Sequence, residues 1–210
     1  AGASACVILD AGDYIYLSQT NANTTTGGVS ITAEPQLGQQ NHAAIISQPV
    51  AFVKDVKADT VVGGTATSGN DASGFGRQRT LNTLSGDIAA VGVSLASDTI
   101  TLGAGKYLIK WRSPHYSDGN GLIQAYTSFL YNATDSVLIE QGSSEHFERV
   151  SSASVTSGAS EGETLLTITK STDIQLQYWV ATTAASNGLG GPSSSGHSEI
   201  YSSVKITRKS

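Results

Sequence analysis

The chain has 210 residues, a formal net charge of −5 and only 14% charged residues. The negative charge disfavours binding to a phosphate backbone, so we expect no nucleic-acid partner. Cys6 is the one cysteine and cannot form an intramolecular disulfide. No apolar run approaches the roughly 20 residues of a membrane span, so we expect no membrane insertion.

Residues 1–48 predict a short β-rich segment that precedes the main domain at 49–210. Two prolines bracket the boundary region, because proline is excluded from central strands. In 9–17 and again in 102–110, a leucine and a small Ala-Gly turn precede an alternating aromatic strand. The sequence has no methionine, so we expect it to begin after processing or inside a longer polypeptide, and we favour the second interpretation. The first segment is then the end of a preceding related domain or an arm.

Strand-like runs follow one another along the whole chain, and no segment shows a comparably clear helical period. Clusters of Gly, Ser, Asn and Asp separate the runs, which is typical of a sandwich or barrel. The predicted strands are 5–9, 12–19, 28–33, 43–48, 50–57, 77–84, 88–95, 98–102, 105–113, 121–131, 136–141, 163–170, 172–182 and 198–208. The Gly/Ser-rich stretches 63–76, 151–162 and 183–198 predict the longest loops. The sequence therefore predicts an all-β, antiparallel fold.

The run 172–182 alternates with a period of two, as a half-buried antiparallel strand does. Its inward face is apolar and carries Ile174, Leu176, Tyr178 and Val180. Its outward face carries Gln175, Gln177 and Trp179. An outward Trp among glutamines is typical of a subunit contact, because a monomer would expose its aromatic area. Tyr201 faces away from the apolar side of its own predicted strand and joins this predicted interface.

Two predicted loops carry side chains suited to ligand recognition. The first contains His115, Tyr116, Asp118 and Asn120. Such rings stack on sugars and such polar groups bond hydroxyls, although Asp-Gly and Asn-Gly pairs are equally typical of a plain turn. The second loop contains His146, Phe147 and Glu148 and predicts a polar contact loop, a metal site or an inert surface. No second spaced set of His or Cys accompanies it, so we expect no metal and no cofactor.

The segment 158–162 matches the G-x-S-x-G pattern of a hydrolase nucleophile elbow. An elbow requires a strand before the serine and a helix after it. Here a Ser-rich stretch precedes the motif and a strand-like run follows it, which predicts a solvated loop. We therefore expect no enzyme. A polysaccharide hydrolase is an alternative, because paired carboxylates from distant positions meet only in the fold.

The phrases KYLIKWRSP, LYNATDSVLIEQGSSE and SSVKI lie within 50–209. They resemble the domain at the tips of bacteriophage tail fibres and spikes. The order of runs is also similar to the C1q/TNF jelly roll, where a Leu-rich strand, a polar turn and an amphipathic strand precede a closing strand near the trimer axis. The resemblance implies a jelly-roll sandwich, a homotrimer and a receptor-binding tip carried on loops.

This resemblance implies a virion protein that mediates attachment to the host. Its partners would be other virion proteins and a host-surface receptor, expected to be a glycan or a protein. Several weak contacts would then raise overall avidity. A head fibre or capsid decoration protein with a purely structural role is the alternative.

Overall fold

The chain forms two antiparallel sheets that pack face to face. The computed structural model describes residues 48–71, 75–117, 125–146 and 155–209. The elements within these ranges are β1 (Val50–Lys57), β2 (Arg77–Gln78), β3 (Thr83–Gly86), α1 (Ile88–Val91), β4 (Val93–Ala96), β5 (Thr99–Leu102), β6 (Gly105–Ser117), β7 (Ala125–Asn132), β8 (Val137–His146), β9 (Thr156–Ile168), β10 (Thr172–Val180) and β11 (Glu199–Lys209). The predicted segment before residue 48 lies outside this part of the chain.

The order of the strands defines a jelly roll. One sheet has the order β3-β1-β11-β6-β9, and the other has β4-β5-β10-β7-β8, with β2 paired to β10. From β5 onward the chain passes repeatedly between the two sheets, and neighbouring strands run antiparallel. The predicted all-β jelly-roll sandwich is thus confirmed.

Alternate residues of both sheets fill the space between them. Tyr107 and Ile109 of β6 are at most 1% exposed, and so are Ile174 and Leu176 of β10. The two-residue period predicted for β10 therefore places its apolar face in the core. Burying each such side chain contributes about 1.5–3 kcal/mol, so the alternation itself fixes which face of the strand turns inward.

Several predicted strand and loop boundaries between residues 88 and 162 are wrong. The stretch 151–162 was predicted to be a loop but is strand from Thr156 onward. The strand β6 was predicted to end at residue 113 but continues as far as Ser117. These two polar extensions pair with each other over their whole length. The predicted strand 88–95 begins instead with α1, which ends at Gly92 with a left-handed φ of 73°.

Gln177 and Tyr201 are buried in the chain's own fold, so their predicted outward exposure is wrong. Gln177 is 0% exposed. On the same face of this sheet, the ring of Phe75 lies 5.3 Å from that of Tyr131, which opposes Gln175, so the chain's own side chains cover part of this face. The register between β1 and β11 shifts next to Ile200, which reverses the side-chain alternation. Ile200 is therefore 53% exposed, whereas Tyr201 is 5% exposed.

Candidate functional site

The strands that carry the predicted ligand residues meet at one end of the sandwich. Ser117 at the end of β6 pairs with Thr156, and Ala125 at the start of β7 pairs with His146. The connections after β6 and β8 therefore leave from the same end, named the loop end here. Four of the predicted ligand residues belong to these connections and lie outside the described residues: Asp118, Asn120, Phe147 and Glu148.

His146 and Tyr116 differ in how much of each side chain reaches solvent at the loop end. His146 is exposed as the last residue of β8. Tyr116 is half-buried, and its N–H donates to the carbonyl of Gly188 at 3.1 Å. Its ring packs on Gly191, where a Cβ atom would lie 2.9 Å from Cε2 of Tyr116. His146 is thus free to meet a ligand, whereas Tyr116 holds the connection between β10 and β11 in place.

His115 lies in the interior of the sandwich, which corrects its predicted place in a loop. It is 1% exposed, and its ring centroid lies 5.1 Å from that of Tyr126. The ring covers Gly158, where a Cβ atom would lie 2.6 Å from Nε2. Burial, followed by the charges of Arg79 and Arg112, lowers the pKa of His115 to about 4. The imidazole is therefore neutral at pH 7.

A buried arginine lies beneath the loop end, and the sequence reasoning missed it. Arg79 is 0% exposed and its Nε donates to Oγ of Ser202 at 2.6 Å. Its terminal nitrogens donate to the carbonyls of Pro114 at 3.3 Å and Leu189 at 3.1 Å. Its guanidinium also lies 5.8 Å from the ring centroid of Tyr178. Arg79 thus links β6, β11 and the connection after β10 by hydrogen bonds in the interior beneath the loop end.

The outer face of the five-stranded sheet carries a shallow groove of about 350 Å³. Four basic side chains and one acidic side chain line it together with an aromatic ring, and we name it the basic groove; its lining includes Phe52, Lys54, Lys110, Arg112, Glu161, Ser203 and Lys205. The Nζ atoms of Lys54 and Lys205 lie 5.5 and 6.0 Å from the centroid of the Phe52 ring. That ring is 36% exposed. The groove therefore combines an aromatic floor with concentrated positive charge on a chain of negative net charge.

Exposed aliphatic side chains lie where β8 and β9 form the last strands of their sheets. Val137 is 48% exposed, Leu138 38% and Leu165 66%. The half-buried Ile139 and Leu166 pack against the core. Leu138 opposes Tyr131 of β7 and Leu165 opposes Leu108 of β6, so the two exposed leucines point to the outer faces of different sheets. Single exposed apolar side chains of this kind are normal on a protein surface.

No metal site or membrane helix is found in the described parts of the chain. No three side chains of His, Cys, Asp or Glu gather there as a metal would require. None of the helices described is long and apolar enough to cross a membrane. The G-x-S-x-G segment is a strand whose Ser160 is 0% exposed, so it does not form an elbow that presents a nucleophile.

Comparisons with known proteins find similar folds but no related sequences. No family model matches the chain. No curated protein matches it either. The crystal structure of murine APRIL at pH 8.5 is similar at a TM-score of 0.43 and 8% identity, covering 78% of this chain and 100% of APRIL. The globular domain of zebrafish complement 1qA gives 0.43 and 13%, covering 77% of this chain and 96% of that one. Eiger TNF from S. frugiperda gives 0.49 and 9%, covering 78% and 94%.

Proposed function

We propose that this chain is a non-enzymatic adhesion protein that binds a host-surface receptor at its loop end. In this proposal it assembles as a homotrimer at the tip of a bacteriophage fibre or spike and resides on the virion. The receptor is a glycan or a protein that several copies engage at once. Each single contact is weak, and the linkage of three copies raises the avidity by ~10²–10⁴.

The observation that carries this proposal is the convergence of four strand ends. The two sequence segments with ligand-like side chains adjoin the ends of four strands, β6, β7, β8 and β9. These four strand ends lie at the same end of the sandwich. Loops on one end of a rigid sandwich are a common place for recognition residues, because the sheets position them while the loops vary. Arg79 and the aromatic side chains below give this end a packed, hydrogen-bonded base.

Adsorption of the labelled protein to a panel of bacterial strains tests the proposal. The variant His146→Ala/Phe147→Ala/Glu148→Ala removes the side chains that follow and end β8. Ser171→Ala is the matched control, because Ser171 is exposed in the β9–β10 turn at the opposite end of the sandwich. We expect wild type and Ser171→Ala to adsorb equally and the triple variant to lose at least about tenfold of its avidity.

Three outcomes would contradict the proposal. Equal adsorption by the triple variant would remove these residues from the binding site. Binding of the protein to phage capsids but to none of the cells would favour a decoration role. Release of reducing ends from host polysaccharide would favour a hydrolase.

A further inference from the structure

A buried histidine lies between the paired ends of β6 and β9 at the loop end. His115 directly opposes Gly158, and its ring lies over that glycine. The partner segment of β9, residues 156–160, has the sequence TSGAS and contains no large apolar side chain. Small side chains bury little apolar area, so this part of the sheet opens at a lower free energy than the core does. Whether these strand ends stay paired therefore depends on the packing of the His115 ring.

The interior around His115 is positively charged. His115 is 1% exposed and Arg79 is 0% exposed, and the charges that act on the imidazole are those of Arg79 and Arg112. The strands β7 and β9 contribute the uncharged phenol ring of Tyr126 and the backbone of Gly158. A proton on the imidazole would place a second positive charge in the same interior as the buried guanidinium, away from water, which is unfavourable. A rearrangement that brings the ring into water relieves this cost.

The residues on either side of His115 hold the loop end together. A terminal nitrogen of Arg79 donates to the carbonyl of Pro114 at 3.3 Å. The N–H of Tyr116 donates to the carbonyl of Gly188 at 3.1 Å, in the connection between β10 and β11. Displacement of the backbone at His115 breaks both hydrogen bonds. We therefore expect the end of β6, its partner segment of β9 and the connection after β10 to open as one unit.

We propose that the loop end is an acid-sensitive switch, in which a proton on His115 opens the segments 113–117, 156–160 and 187–191 while the rest of the sandwich stays folded. The opening separates the ends of β6 and β9, beside which the ligand-like side chains of the sequence lie. The switch would thus regulate the proposed adhesion site, and in that role it rests on the proposed function. The opening itself requires no receptor.

The pKa of His115 defines the pH range of the switch. Burial, followed by the charges of Arg79 and Arg112, lowers this pKa from 6.5 to about 4 in the closed state. In the open state the ring lies in water and regains its ordinary pKa. The open state therefore binds the proton more tightly, and falling pH favours it. Between pH 7 and pH 4.5 the equilibrium constant for opening rises about fiftyfold.

Native-state hydrogen exchange followed by mass spectrometry tests the switch at pH 7 and pH 4.5, with small additions of urea. The reference peptides cover 105–111 and 162–168, the other halves of the same two strands. We expect the loop-end segments at pH 4.5 to exchange at least about tenfold faster than the reference peptides, after correction for the intrinsic exchange rates. Low urea should accelerate only the reference peptides, because a local opening exposes little new surface.

Two histidine variants test the role of the proton. His115→Phe keeps a ring at this position but cannot titrate, so the loop-end segments should lose the fiftyfold response to pH. His197→Phe is the matched control, because His197 is exposed in the connection after β10, and it should keep the response.

Two outcomes of the exchange measurement would overturn the switch. One is a single protection and urea dependence shared by the loop-end and reference peptides, because opening would then require global unfolding. The other is an unchanged pH response in folded His115→Phe. The first comparison uses wild-type protein alone, so it remains decisive if His115→Phe does not fold.

Adsorption to the bacterial strains at both pH values separates this inference from the adhesion proposal. We expect wild type to lose adsorption at pH 4.5 and to regain it at pH 7, whereas His115→Phe keeps it. If no strain adsorbs the protein at either pH, the adhesion proposal fails and the exchange result still decides the switch. Opening in acid with unchanged adsorption would overturn the regulatory role and leave adhesion standing.

Discussion

Trp111 of β6 and Gly162 of β9 face each other so closely that the indole occupies the place of a side chain on the glycine. A Cβ atom on Gly162 would lie 2.1 Å from Cζ2 of Trp111, far inside van der Waals contact. The two residues are direct cross-strand partners. The same arrangement recurs four residues away, where the His115 ring covers Gly158. Glycine in β9 thus gives aromatic rings of β6 room to lie against the neighbouring strand.

Substitution Gly162→Ala is expected to destabilise the fold by about 1–3 kcal/mol, because the indole or the backbone has to move. Urea denaturation followed by tryptophan fluorescence measures this change. Gly103→Ala is the control, since a Cβ atom there meets nothing nearer than 3.9 Å. Equal midpoints for the two variants would show that the Trp111 ring moves away at no cost.

The glycines of β9 that make room for the β6 rings also explain why composition led to a wrong prediction there. Glycine and serine at 151–162 predict a loop, yet from Thr156 onward they are small residues of a paired strand. In contrast, β10 was predicted over 172–182 and spans Thr172–Val180, because its apolar and polar residues alternate with a period of two. Local alternation is visible in one sequence. The packing of a ring from another strand on a glycine is not visible in the sequence.

The basic groove shows a second limit of sequence reasoning. Its positive charges come from β1, β6 and β11, which are far apart along the chain and become neighbours only through the sheet order. The shift of register between β1 and β11 also decides which of Ile200 and Tyr201 is exposed. A shift of one residue moves a side chain to the opposite face, and the sequence carries no clear mark of it.

Arg79 is expected to be essential for stability. Arg79 lies two residues before the buried Leu81, and this spacing is the one sequence signal that its side chain points inward. Arg79→Ala leaves three acceptors without their donor and creates a cavity, so we expect a loss of about 2–4 kcal/mol of unfolding free energy. Arg79→Lys should be intermediate, because an ammonium group cannot reach all three acceptors in the geometry of a guanidinium fork.

The control for the Arg79 substitutions is Arg112→Ala. The Arg112 side chain is 51% exposed and pairs with Glu161 at the surface. Such a pair contributes about 1 kcal/mol or less. Chemical denaturation of all three variants gives the comparison. An Arg79→Ala variant no less stable than Arg112→Ala would contradict a structural role for the buried network.

His115 is expected to make stability depend on pH. Its pKa falls from 6.5 to about 4 on folding, so between these values the unfolded chain binds more protons than the folded one. The free energy of unfolding therefore rises with pH through this window and is lost as the pH falls from about 6.5 towards about 4. The full effect is at most about 3 kcal/mol.

Comparison of His115→Phe with wild type isolates this contribution. The substitution keeps a ring against Tyr126 but removes the titrating group, so the slopes contributed by other residues cancel in the difference. Urea denaturation at several pH values between 4 and 7 gives both curves. We expect the wild type to lose stability more steeply than the variant as the pH falls. Parallel curves would show that His115 titrates alike in the folded and unfolded chains.

Ser160 and Ser128 are expected to couple four strands through their two hydroxyl groups. Nε1 of Trp111 donates to Oγ of Ser128 at 2.9 Å, and the hydroxyls of Ser128 and Ser160 lie 2.7 Å apart. Ser160 in turn donates to the carbonyl of Ser143 at 2.5 Å. The relay joins β6, β7, β9 and β8, so it fastens the two sheets together.

Removing this hydroxyl in Ser160→Ala leaves the Ser143 carbonyl without its donor and should cost about 1–3 kcal/mol. Ser157→Ala, at an exposed position of the same strand, is the control and should change stability by less than about 0.5 kcal/mol. A double-mutant cycle with Trp111→Phe tests the relay itself. Because the two residues act through Ser128, we expect a coupling free energy of about 0.5–3 kcal/mol. Strict additivity would mean that the Trp111 and Ser160 hydrogen bonds stabilise the fold independently.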